Sequence, residues 1–189
     1  MATVTPNTDA MSSAFVEPEG LYEIIDGRIV EKPPMGSYEF ELVSIFQSLL
    51  SPFARARGLG RVLTEMMFDL RPAVDRQRRP DVAFVSAAAC PLHLRAPKAA
   101  AWAVVPELAI EIVSPTNQAN DVLAKVEEYF RAGSLAVWVV YPDLAKVYVY
   151  ASPTSVRVLA PGDDLDGGAI LPGFRTPVAD LFGPAAEQA

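Results

Sequence analysis

The chain has 189 residues, 51% of them hydrophobic, which suits one globular domain with a real core and excludes a disordered chain. Its net charge of −7 argues against a protein that coats nucleic acid by bulk charge. Cys90 is the single cysteine and His93 the single histidine, which excludes an internal disulfide, a zinc knuckle and a His-rich metal site.

Residues 1–15 are polar, small and without periodicity, and read as a flexible tail before one domain over 16–189. No Lys or Arg precedes an apolar stretch there, so no secretory signal is expected. No apolar run reaches the roughly 18 residues of a membrane span. Together these point to a cytoplasmic protein without a membrane partner. Leu21 to Ile25 and Arg28 to Glu31 flank Asp26-Gly27, a two-residue hairpin signal, and Pro33-Pro34 then breaks the chain. A helix is predicted from Ser37, its N-cap, to about Arg57, with Phe40, Val43, Phe46, Leu50 and Phe53 at helical spacing. Glu39 falls in its first turn, where the helix dipole favours an acid.

Val62 to Leu70 reads as a strand and Arg71 to Arg78 as a turn with exposed arginines. Residues 55–79 hold seven arginines against three acids, a local +4, while the rest of the chain carries −11. Such a zone suits a phosphate backbone or a set of solvated loops. Arg79 to Val85 is the next strand, with Asp81, Ala83 and Val85 on one side and Val82 and Phe84 on the other. Residues 86–106 are Ala- and Pro-rich and read as a loop with one helical turn.

In Glu107 to Val113, Leu108, Ile110 and Ile112 form a clean core face, and the opposite face carries Glu107 and Glu111. Ser114-Pro115-Thr116-Asn117 ends that strand. A helix capped by Asn120 or Asp121 follows, with Val122, Leu123, Val126, Tyr129 and Phe130 on one arc, Lys125 at its edge and Gly133 as the stop. Ala136 to Tyr141 is apolar on both faces and reads as an interior strand. Lys146 to Tyr150 and Val156 to Leu159 are further strands, residues 163–168 a turn, and Val178 to Phe182 a closing helix. The fold class is α/β (α+β): a mixed sheet flanked by helices with an N-terminal hairpin.

Asp81, Glu111 and Lys125 share one chemical logic. A hard cation needs one or two carboxylates plus waters, and a nearby ammonium can orient a water and offset developing negative charge. Each residue also has an ordinary reading: an acid at a strand start, a solvated strand edge, a snorkelling lysine.

In YEIIDGRIVEKPP (22–34), RPDVAFVS (79–86), ELAIEIVSPTN (107–117), DVLAKVEEYFRAG (121–133), VWVVYP (137–142) and LPGF (171–174), the chain resembles the PD-(D/E)xK restriction-endonuclease-like superfamily. Within it the chain resembles the bacterial Uma-two family of endonucleases. The resemblance covers about residues 20–183. It implies a DNA endonuclease using Mg²⁺ or Mn²⁺, with Asp81 and Glu111 as metal ligands and Lys125 as the catalytic lysine. Val113 stands where the superfamily usually has a lysine, and the family's lysine lies on the following helix, where Lys125 matches. Many members carry a His early in the first long helix. Here Glu39 or Phe40 falls there, and Glu39 is a candidate for the helix carboxylate that many superfamily nucleases use. Arg76, Arg78 and Arg79, just before Asp81, are candidate phosphate contacts. DNA is the expected partner, and a homodimer stays open. The competing class is an inactive nuclease-fold module that binds nucleic acid or protein.

Overall fold

The computed structural model describes residues 20–183, so the expected 1–15 tail lies outside the described residues. β1 (Tyr22–Ile25) and β2 (Arg28–Glu31) form the hairpin. Asp26 and Gly27 both take positive φ, 50° and 71°, as the twist-matched two-residue turn requires.

α1 runs Ser37–Ala56. Its N-cap is Gly36 rather than Ser37, and no side chain caps it by a hydrogen bond. Leu42, Val43, Phe46, Leu50 and Ala54 are its buried stripe. Glu39 stands on the same stripe, at i and i+4 with Val43, whereas Phe40 falls on the flank and is exposed.

The stretch expected as one strand over 62–70 is two: β3 (Gly60–Thr64) and β4 (Phe68–Asp69). Glu65, at φ 52°, turns the chain out of the first sheet between them. The stretch expected as a turn over 71–78 ends in a strand, β5 (Arg76–Arg78), and Pro80 separates it from β6 (Val82–Ser86), the strand expected over 79–85. β7 (Leu108–Ile112), α2 (Ala119–Ala132) and β8 (Ala136–Tyr141) then form a strand–helix–strand crossover with β7 and β8 parallel. The N-cap of α2 is Gln118, not Asn120 or Asp121, and Gly133 closes it in the left-handed region at φ 116°. The loop over 86–106 forms no helix beyond one α-type turn, in which the Cys90 N–H bonds Ser86 O at 3.0 Å. Further on, Trp102 bridges to Phe68 and stacks on it at 6.1 Å.

β9 (Lys146–Ser152) and β10 (Ser155–Leu159) extend the sheet. β11 (Asp164–Asp166) pairs with β12 (Arg175–Pro177), so the acidic stretch expected as a turn is a strand of a small ribbon. α3 (Ala179–Phe182) follows.

The main sheet has the order β10-β9-β8-β7-β6-β3, antiparallel except at β7–β8. A second sheet, β2-β1-β5-β4, carries the hairpin. Strand parity sorts the core into two layers. Val82, Phe84, Leu108, Ile110, Trp138 and Val140 pack under α1. Ala83, Val85, Ala109, Val137 and Val139 face α2 through Val122, Val126 and Tyr129. No helix among the described residues is long and apolar enough to cross a membrane.

Candidate active site

Period-two alternation on β7 buries Leu108, Ile110 and Ile112 under α1 and turns Ala109 and Glu111 toward α2. Glu111 is 6% exposed on that face. Lys125 and Tyr129, one helical turn apart on α2, both reach it. Lys125 Nζ donates to Glu111 Oε2 at 2.9 Å, and Tyr129 Oη donates to Oε1 at 2.8 Å. Lys125 Nζ also lies 3.4 Å from Glu23 Oε1 on β1. Val113, two residues beyond Glu111, packs into the apolar layer beneath α2.

Asp81 stands directly before β6. The ladder between β6 and β7 begins at Val82 opposite Ile110, so one step further the antiparallel register sets Asp81 across from Glu111. Asp81 replaces the missing backbone partner: its Oδ2 accepts the Ile112 N–H at 2.5 Å. Lys32 Nζ binds the other oxygen, Oδ1, at 2.6 Å. Two carboxylates directly opposite one another repel, and here each has a lysine of its own.

The electrostatics follow from that crowding. Burial pushes the Glu111 carboxyl up, Lys125 opposes it, and the charges of Asp81 and Glu23 push it further, so the net direction is up. Burial also raises Glu23, but Lys125, Arg78 and the Arg79 N–H outweigh it and leave that carboxyl below its ordinary value. Burial lowers Lys125 while Glu111 and Glu23 raise it by more, so the ammonium stays charged at neutral pH. Burial and the adjoining Glu111 charge keep the Tyr129 phenol protonated.

Asp81, Glu111, Lys125, Lys32 and Glu23 line a single cavity of about 360 Å³. Its mouth is bounded by the hairpin, by Pro33-Pro34 and by the Ser114–Asn117 turn. Glu39 is not among its lining residues. Its carboxylate instead folds back over Gly36, where a Cβ would collide with Oε2, so it sits at the start of α1.

The arginines are not the exposed set expected from sequence. Arg78 is 5% exposed and bridges Glu23 at 2.7 Å and Glu128 at 2.6 Å. Arg76 pairs with Glu128 at 2.9 Å and with Asp26. Arg79 bonds the carbonyls of Tyr22 and Glu65. β5 lies between β1 and β4, which folds these side chains inward. Arg78 alone of the three lines the cavity.

Sequence reasoning missed Lys32, Glu23, Glu65 and Tyr129. The signal for Lys32 was its place in Glu31-Lys32-Pro33-Pro34, a charge locked between a strand end and two prolines. Glu23 and Glu65 gave none, because their partners lie 102 and 33 residues away, by the numbering of Lys125 and Lys32. Among the described residues no group of three or more His, Cys, Asp or Glu side chains is arranged to hold a metal ion.

A mixed sheet with a helix on each face gives the chain a restriction-endonuclease-like fold. The chain belongs to the Uma2 family, described as "Putative restriction endonuclease", whose profile matches residues 9–179. A solved structure described as "a putative nuclease belonging to DUF820" from Anabaena variabilis is similar, with a TM-score of 0.76 at 22% identity over 88% of this chain and 92% of that one. No curated protein matches.

Proposed function

We propose that this protein is a divalent-metal-dependent nuclease that hydrolyses phosphodiester bonds in DNA. The observation that carries the reading is the convergence of Asp81, Glu111 and Lys125 in one cavity. Membership of a family described as "Putative restriction endonuclease" supports it.

The donor set fits a hard cation. Mg²⁺ takes oxygen ligands and is commonly held by one or two carboxylates with waters completing its shell. Asp81 and Glu111 are such a pair, and the charge of one pushes up the carboxyl of the other, a repulsion that a shared cation relieves. Asp81 and Glu111 are the residues that would hold it. The chemistry supplied by a bound divalent ion is Lewis-acid stabilisation of phosphate oxygens and a more acidic water. Tyr129 fixes the orientation of Glu111. Lys125 supplies a compact positive charge with three donors, suited to orienting a water and offsetting charge on the phosphorane. Arg78 braces Glu23, which in turn flanks Lys125.

The test is incubation of purified protein with plasmid, single-stranded and branched DNA in Mg²⁺ or Mn²⁺, beside EDTA, Asp81→Asn and Lys125→Met controls. Cleavage that needs the ion and both side chains is the expected result. One observation favours a second reading, a binding module without turnover: each carboxylate already has a lysine partner. Stable DNA binding with no cleavage under any ion would select it.

A further inference from the structure

The site holds a second ammonium. Lys32 follows β2, and its backbone N–H bonds Leu21 O at 2.8 Å. Pro33-Pro34 on the other side restricts the chain. The side chain therefore enters the cavity from a fixed base. Its Nζ bonds four oxygens: Asp81 Oδ1 at 2.6 Å, Glu65 Oε2 at 2.9 Å and Oε1 at 3.1 Å, and Arg79 O at 3.2 Å. Two carboxylates and a carbonyl are also what a hard cation takes. Glu65 faces this seat from a left-handed bend, φ 52°, a conformation uncommon for a residue with a Cβ and one that persists where its surroundings hold it.

Each oxygen of Asp81 already accepts one hydrogen bond. Oδ2 is bound to the Ile112 N–H and Oδ1 to Lys32. A Mg²⁺ ion bonds an oxygen at roughly 2.0–2.1 Å. An ammonium on the same oxygen would then face a divalent charge at close range in a buried setting, where repulsion is poorly screened. Burial works against the Lys32 charge, but Asp81, Glu111 and Glu65 outweigh it and keep the group protonated at neutral pH.

We propose that Lys32 is a tethered cation seated on Asp81, so that a divalent ion and the Lys32–Asp81 contact exclude one another and Lys32 sets the metal affinity of the site. The inference rests on the nuclease reading. It makes the lysine-paired arrangement a resting form, which a divalent ion converts by displacing Lys32 from Asp81.

Two measurements test it. Mn²⁺ binding is compared by calorimetry for the parent protein, Lys32→Met, Lys32→Arg and Asp81→Asn. Lys32→Met is expected to bind about tenfold tighter, a shift of the size that residues around metal ligands produce, and Lys32→Arg to return toward the parent value. In the unaltered protein, acylation of Lys32 by an amine-reactive reagent, read by mass spectrometry, is expected to run faster with Mg²⁺ than with EDTA. This second measurement decides the matter if Lys32→Met does not fold. Equal or weaker Mn²⁺ binding by folded Lys32→Met, or a labelling rate that Mg²⁺ leaves unchanged, overturns the inference. If the parent binds Mn²⁺ through Asp81 and Lys32→Met binds it equally well, this inference alone fails. If neither the parent nor Lys32→Met binds Mn²⁺, the nuclease reading fails with it.

Discussion

Glu111 has one oxygen on Lys125 and the other on Tyr129, so Lys125 is the partner that balances its charge. Lys125→Met keeps most of the side chain's stem and removes only the ammonium. Cleavage is expected to fall by about 10²–10⁴-fold, while Mn²⁺ still binds. A variant that cuts DNA at the parent rate would reduce Lys125 to a packing residue. Glu23 gives the clearest pH signature. Its carboxyl lies below the ordinary 4.5 in the folded protein. The unfolded chain therefore binds the proton first as pH falls. The stabilisation is full above about pH 4.5 and is lost as pH drops through the folded value. Glu23→Gln should lower stability at pH 7 by about 1–3 kcal/mol, the size of a lost charged hydrogen bond, because Arg78 keeps Glu128 and Lys125 keeps Glu111. It should also flatten the fall in stability below pH 4.5, read from denaturant midpoints at stepped pH.

At the scale of elements, α2 is held by two kinds of contact. Val122, Val126 and Tyr129 pack on the sheet. Glu128, also buried, reaches across to Arg76 and Arg78 on β5. The second contact ties the small sheet to the helix that carries Lys125. Glu128→Ala would leave Arg78 buried with one acid in place of two. It is expected to cost about 1.5–3 kcal/mol, the size of a lost charged hydrogen bond, in chemical denaturation. A change below about 1 kcal/mol, the size of an exposed ion pair, would mean that the apolar contacts alone hold α2. The helix faces were readable from spacing. The burial of Glu128 was not, because the arginines it pairs with lie some 50 residues earlier in the chain.

Across the whole molecule, the charge of −7 and the engaged arginines bear on nucleic-acid binding. The salt dependence of binding counts the phosphates neutralised by free cations. With Arg76 and Arg78 committed to acids inside the protein, the slope of log K against log salt is expected to be shallow, about −1 to −3. A much steeper slope would show that these guanidiniums leave their partners for the phosphate backbone. Arg78→Ala should act first on stability, seen as a lower thermal midpoint, and only through it on binding.

The strands of the sheet interior and the two long helices were legible because their signals are local. Alternation in 108–112, helical spacing in 42–54 and 122–130, and Asp26-Gly27 each need only a few neighbouring residues. The same parity sets Glu111 on the side opposite Leu108, Ile110 and Ile112, and Asp81 on the side opposite Val82 and Phe84; which of these sides faces α2 is set by the tertiary structure. Interruption of the 62–70 stretch and the strand at 76–78 were not legible, since the apolar pattern runs on while Glu65 sends the chain into a second sheet, from which it returns only after Pro80. The exposure expected for Arg78 failed for a related reason: composition shows that a side chain is charged, but not which acid the fold brings to it. The tertiary structure alone decided that Lys32, from the hairpin's end, meets Asp81 and Glu65. Ion pairs between distant segments leave no periodic trace in the sequence, because what sets them is the crossing of one sheet over another.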